Sequence, residues 1–312
     1  MSSIPRISQP SLRDRVPGLR RVVGSRRAQY VIRNARAARA VREPLRFTAL
    51  QLGPPRTAAY RLRGSGLRIY LRHQTRDVDI FKEIFGTGYG PNSYDPPAAI
   101  ATALDAAGSP SIVDLGGNIG LFGVYVLGRW PRATVRSFEP DPTNLPMLER
   151  VIAVNELGDR WSVANVAVAN DVGELPFLAG LFAESQLAAV ADPASKTPDS
   201  ARIEDGETIM VPTVDLFEQD VHANLMKMDI EGGEWSILTD PRMRELDADA
   251  IVLEWHASGC PEPDARATAL RLLREAGYDR IEESENFPNR GLLWAWRASG
   301  DAGRGDGEGP RA

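Results

Sequence analysis

A chain of 312 residues, 43% hydrophobic and 25% charged, has the length and apolar content of one large α/β domain with appendages. Its single cysteine, Cys260, excludes an internal disulfide, and His73, His222 and His256 with that one thiol offer no zinc-type ligand spacing. The formal net charge of −5 conceals a division: residues 1–76 hold 18 Arg against Asp14 and Glu43, net +16, while residues 77–312 are net −21.

Residues 1–17 set Pro5, Pro10 and Pro17 among Ser and Arg, the composition of an unstructured arm. From Leu19 to Ala40, basic residues alternate with Val22, Val23, Tyr30, Val31 and Ile32, which predicts a basic amphipathic helix. Within 46–71, Phe47 to Leu52 and Leu67 to Leu71 alternate as short strands do. Val78, Ile80, Phe81, Ile84 and Phe85 then recur at helical spacing from Asp77, ended by Gly86 and Gly88. The main domain begins near Pro97 with strand Ser111–Leu115, helix Gly120–Arg129, strand Thr134–Glu139, helix Thr143–Glu156 and strand Trp161–Ala169. A looser region, Asn170–Val211, precedes strand Leu225–Ile230, helix Gly233–Thr239, strand Ala250–His256 and helix Asp264–Ala276. Strands Tyr278–Ser284 and Leu292–Arg297 close the domain, and the Gly- and Asp-rich tail 298–312 is expected to be disordered. Strands spaced by helices imply right-handed βαβ units and a parallel sheet with an antiparallel final pair.

Three segments fall where strands are expected to end: Val113–Gly120, Phe138–Pro140 and Lys227–Glu234. Turns at the carboxyl ends of strands in an open sheet converge on one crevice. Gly116, Gly117 and Gly120 flank Asn118 in the first turn, where backbone without a Cβ can approach a ligand closely. The order Asp-x-Gly-x-Asn-x-Gly differs from the Gly-x-Gly-x-x-Gly of dinucleotide sites, and Asp114 beside it suits a cationic sulfonium and an α-amino group while opposing a diphosphate. Glu139, 25 residues beyond Asp114, is placed to accept from ribose hydroxyls. Asn170 and Asp171 close the third strand, where a contact to an adenine edge is expected.

Asp229, Glu231 and Glu234 crowd the end of the fourth strand, and carboxylates so close repel unless a cation, a substrate donor or Lys227 offsets them. Asp229 and Glu231 could instead share a divalent ion such as Mg2+, because hard oxygen ligands suit it; no dedicated metal site is otherwise expected. His256, two residues after Glu254, joins Asp229 and Glu231 as a candidate catalytic group. His73 is a weaker candidate, and Tyr94-Asp95-Pro96-Pro97 reads as a turn.

These motifs resemble the FkbM family of S-adenosylmethionine-dependent methyltransferases. The likeness runs from about Arg72 to Arg297 and rests on Asp77 to Phe85, Val113 to Gly120, Phe138 to Pro140, Val211 to Asp215, and Leu225 to Gly232 with Gly233-Glu234. It implies a Rossmann-like class I methyltransferase fold, with a mostly parallel seven-stranded sheet, helices on both faces and an N-terminal extension. It also implies that Asp114, Gly116 and Asn118 line the methionine end, that Glu139 holds the ribose, and that the Asp229–Glu231 turn faces the transferred methyl. The expected division is a basic extension over 1–71, a methyltransferase domain over 72–297 and the tail. The expected reaction is O-methylation of a hydroxyl on a polyketide, sugar or similar small molecule.

Two alternatives remain: a nucleic-acid methyltransferase docking through the Arg-rich arm, and a non-catalytic cofactor-binding scaffold. The arm lacks aromatic interleaving beyond Tyr30, which disfavours nucleic acid. No window approaches the roughly 18 apolar residues of a membrane helix, and the N-terminus lacks the apolar run of a secretory signal, so a cytoplasmic protein is expected.

Overall fold

The computed structural model describes residues 34–86, 92–180, 186–187, 207–220 and 222–297. The expected arm, the Leu19–Ala40 helix as far as residue 33, and the tail lie outside these. In chain order the elements are α1 (Pro44–Leu52), β1 (Arg56–Arg61), β2 (Arg68–His73), α2 (Asp77–Ile84), α3 (Ala98–Ala107), β3 (Ser111–Leu115), α4 (Leu121–Arg129), β4 (Thr134–Phe138) and α5 (Leu145–Val154). There follow β5 (Trp161–Ala164), β6 (Ala167–Ala169), β7 (Gly173–Ala179), β8 (Gln186–Leu187), β9 (Glu207–Asp215), β10 (Leu225–Met228), α6 (Glu234–Leu238), β11 (Ala250–His256), α7 (Ala265–Glu275), β12 (Arg280–Asn286) and β13 (Arg290–Trp296).

The main sheet has seven strands in the order β12-β13-β11-β10-β3-β4-β5, parallel except where β13 meets β11 and β12. Its central strands β10, β11 and β13 are largely apolar and buried because both faces are covered there, whereas the edge strand β12 is mostly polar and exposed. Ile112, Leu225, Val252, Leu292 and Trp294 enter one core, while their neighbours Val113, Met226, Ile251, Leu253 and Leu293 enter the other. From β3 the chain builds outward through β4 and β5, then returns to lay β10 and β11 on the opposite side. The order therefore reverses between β3 and β10, and that junction opens a crevice at the strands' carboxyl ends. This is the Rossmann-like class I methyltransferase arrangement.

Three local expectations differ from the structure. Phe47 to Leu52 lie in α1, not in a strand: Pro44 occupies the first turn, and Phe47 and Gln51, one turn apart, are both buried. Gln51 then accepts from the ring of His73, whose other nitrogen bonds the Tyr60 hydroxyl at 2.6 Å. Burial, with Arg46 nearby, pushes the His73 pKa down to about 4, so it is a neutral core residue. The expected strand Trp161–Ala169 is two strands, because β5 ends in the main sheet and β6 joins a second sheet ordered β6-β9-β7-β8. That second sheet occupies part of the region expected to be loose.

The expected boundary at residue 71 falls within β2, and Tyr60, Ile69 and Leu71 share one core with Phe81, Leu148 and Val151. Asn155, just after α5, both accepts from the Arg68 amide at 2.7 Å and donates to its carbonyl at 2.8 Å, so it satisfies the free edge of β2.

Trp161 on β5 fills the groove above α4, where a Cβ added at Gly123 would sit 2.2 Å from the indole. Its indole N–H donates to Ser137 and holds the ring in place. Gly123→Ala is expected to lower stability by about 1–3 kcal/mol through overpacking. Urea denaturation checks this, and an unchanged midpoint would contradict it.

Candidate functional site

The turn after β3 is shaped by what lies behind it. Gly116 has φ +83, and a Cβ there would come within 2.0 Å of the Asp229 carbonyl oxygen, so β3 and β10 touch through bare backbone. Gly120, φ +85, opens α4 with Trp161 packed against it. At Gly116 and Gly120, therefore, chain packing requires the glycine. Asn118 takes a positive φ of 47, and its side-chain oxygen accepts from Ile119 N–H at 2.7 Å, a local bond that favours this geometry for Asn.

Glu139 follows β4 and folds back to this turn. Its Oε2 accepts from the Asn118 amide at 2.6 Å, and its Oε1 accepts from the Asp141 amide at 2.9 Å and from Asn144 Nδ2 at 3.3 Å. Burial lifts its pKa to about 7 against those donors. The Gly116–Asn118 turn and Glu139 line a cavity that also has an apolar part, made by Phe138, Val166, Ala167, Val168 and Phe177.

The other half of the cavity is charged. Lys227, on β10 and almost fully buried, places Nζ 3.4 Å from Asp114 and 3.3 Å from Asp229, and donates to the Gly116 carbonyl at 3.0 Å. Burial alone would lower the lysine, but Asp229 and Asp114 hold it above its ordinary range. Burial would raise Asp229, yet Lys227 and His256 bring it below the usual carboxylate value. The Tyr94 hydroxyl donates to Glu254 at 3.2 Å and lies 3.4 Å from Asp229. Arg290 donates to Glu254 at 2.5 Å and to Glu83 of α2 at 3.4 Å. Burial, reinforced by Glu254, lifts Glu83 to about 7.

His256 closes the cluster. Its Nδ1–H donates to Glu234 Oε1 at 3.0 Å, and Glu234 also accepts from the amides of Ile230 and Gly232. Its Nε2 faces Glu231 at 3.4 Å and Glu254 at 3.8 Å. Burial opposes the charged form, but Glu231, Glu234 and Glu254 raise the imidazole well above its ordinary pKa. One ligand atom from each of Asp229, Glu231 and His256 lies within 4.8 Å of the others, so the three could also meet at a single cation.

The cavity brings together Gly116, Gly117, Asn118, Glu139, Asp229 and Glu231. Asp114 is fully buried behind it, bound to Lys227 and Ser137, so its charge is spent inside the protein and does not face a sulfonium. Asn170 and Asp171 are not among the lining residues: β6 carries them into the second sheet, where the Asn170 carbonyl accepts from Arg242. The lining residues missed by the sequence reading include Asn144, Tyr94 and Arg290, together with Arg76 just before α2 and Asp79 and Glu83 within it. The α2 residues carried a signal, since spacings of three and four place those charges on one helical face.

The donors suit S-adenosylmethionine: a buried carboxylate for a ribose diol, an apolar slot for a purine, and carboxylates at the end where a sulfonium would lie. With three carboxylates around it, His256 is expected to remain an imidazolium throughout neutral pH. Its ring-proton NMR shifts report this directly, and a neutral ring at pH 7 would contradict the geometry.

A family model described as the methyltransferase FkbM domain matches residues 114–280. Methyltransferase sdnD of Sordaria araneosa is 27% identical over 226 residues, covering 64% of this chain and 81% of that protein. Methyltransferase 1 of Beauveria bassiana is 26% identical over 182 residues, covering 54% and 71%. Among solved structures, TYW2 of P. horikoshii, in complex with MeSAdo, aligns at 14% identity with a TM-score of 0.37, covering 77% of this chain and 69% of that one. No helix among the described residues is long and apolar enough to cross a membrane. The chain belongs to the FkbM methyltransferase family and is an S-adenosylmethionine-dependent methyltransferase of that type.

Proposed function

We propose that this enzyme methylates a hydroxyl oxygen of a small organic acceptor, such as a polyketide or sugar, with Glu231 receiving the hydroxyl proton and His256 supporting it. The observation that carries this reading is the pairing of Glu231, which lines the cavity, with His256 at 3.4 Å. The cofactor supplies a methyl group on a cationic sulfur. Glu139 holds the ribose, the turn from Gly116 to Asn118 supports the methionine end, and Val166 to Val168 cover the base.

An alcohol must lose its proton as the new carbon–oxygen bond forms, so a base within reach is required. Asp229 is a weak base here, because Lys227 stabilises its ionised form. His256, held protonated among three carboxylates, has no free ring nitrogen with which to accept another proton. Glu231 remains: its side chain is partly open to the cavity, and burial, opposed by His256 and reinforced by Asp229, lifts it above the ordinary range. A carboxyl with a raised pKa is better matched to proton transfer near neutral pH. The imidazolium beside it stabilises the carboxylate before transfer. In a reducing cytoplasm, the setting we propose, the lone Cys260 stays a thiol.

Glu231→Gln is expected to cut methyl transfer by on the order of 10²–10⁴ while S-adenosylhomocysteine binding persists. Transfer of labelled methyl to a panel of glycosides and macrolides is the assay. Retention of more than about a tenth of turnover would remove Glu231 from this role. Loss of turnover in chelator, restored by magnesium, would assign Asp229 and Glu231 to a divalent ion instead.

A further inference from the structure

Glu139 is tied to a part of the chain far from its own strand and outside the matched family domain. Arg72, at the end of β2, donates from Nη2 to Asn144 Oδ1 at 2.8 Å, and Asn144 Nδ2 donates to Glu139 Oε1 at 3.3 Å. Arg72 is itself fixed by a two-point pair with Asp77, the first residue of α2, at 2.8 and 2.9 Å; the Arg72 amide donates to the same carboxylate at 3.0 Å. Asp77, Asn144 and Glu139 are all buried, and Arg72 is 12% exposed.

A guanidinium has only donors, so the atom of Asn144 that faces Arg72 must be the amide oxygen. The NH2 group is thereby turned to Glu139, where it donates. Without Arg72 the amide could reverse and present its oxygen to the carboxylate, which is repulsive. Donors from Asp141, Asn144 and Asn118 fill three of the roughly four acceptor positions of a carboxylate. Where the last one points is therefore set by how those donors hold the group.

We propose that Arg72 is a positioning residue for cofactor binding, locking the Asn144 amide so that Glu139 presents its remaining acceptor position to the ribose. The inference rests on the reading of Glu139 as the ribose carboxylate. It also gives the N-terminal hairpin a role at the cofactor end of the site, while α2, which begins at Asp77, lines the same cavity through Asp79 and Glu83.

Calorimetry on the full chain with S-adenosylhomocysteine and with its 2′,3′-dideoxy analogue separates positioning from general damage. Arg72→Met is expected to weaken S-adenosylhomocysteine by about tenfold, the effect of one hydrogen bond to a charged group, and to change the dideoxy analogue less than about twofold. Asn144→Ala, which leaves the Arg72–Asp77 pair intact, is expected to give the same pattern and guards against a folding defect in the first variant. Equal weakening of both ligands, or of neither, in both variants would overturn the proposal. Glu139→Gln distinguishes the two levels. If it fails to erase the difference between the ligands, the ribose reading falls and this inference with it; if it erases the difference while the Arg72 and Asn144 variants keep it, only this inference falls.

Discussion

One buried lysine holds this site together. Lys227 projects from the central strand β10 across the point where the sheet order reverses, and its ammonium lies between Asp114 on β3 and Asp229 at the end of its own strand. Removing a charge from water costs several kcal/mol, and that cost is offset only when partners are close and well placed. The two aspartates supply charge, and the Gly116 carbonyl takes a further donor. Because Gly116 also meets the Asp229 carbonyl through bare backbone, the turn after β3 and the turn after β10 are clamped to each other.

The same economy governs the rest of the cavity. Carboxylates from Glu83, Glu231, Glu234 and Glu254 converge with Asp229; Arg290 and His256 face the glutamates, and Lys227 faces Asp229. Each cation is shared between carboxylates, so no carboxylate owns a full counter-charge, which is why burial lifts Glu83, Glu231 and Glu254 together. His256, which resembles a base when only its own strand is considered, is thereby converted into a charge partner. In the reading we propose, the reactive role falls to Glu231, whose side chain is partly open and lines the cavity.

The turns after β3, β4 and β10 were legible in the sequence because each is written locally: an apolar run, then glycine or a carboxylate within a few residues. The mostly parallel sheet was legible as alternation of strands and helices, together with the final antiparallel pair. What local pattern could not carry was contact across the chain. Tyr94 meets Glu254 over a separation of 160 residues, and Arg72 meets Asn144 over 72. Asp114 stood in the right motif, but its partner Lys227 arrives from β10, far along the chain, and Asp114 is fully buried against it. In α1 the alternation misled because Leu45 and Leu52 are 85% and 58% exposed, while the buried positions are Phe47 and polar Gln51.

The clamp is tested most directly by the stability of Lys227→Met in urea, alone and combined with Asp114→Asn. Leaving buried Asp114 and half-buried Asp229 without their cation is expected to cost about 3–5 kcal/mol, and neutralising Asp114 in the same chain should recover part of that loss. A loss below about 1 kcal/mol for Lys227→Met, the size of a surface pair, would contradict the central place given to this lysine.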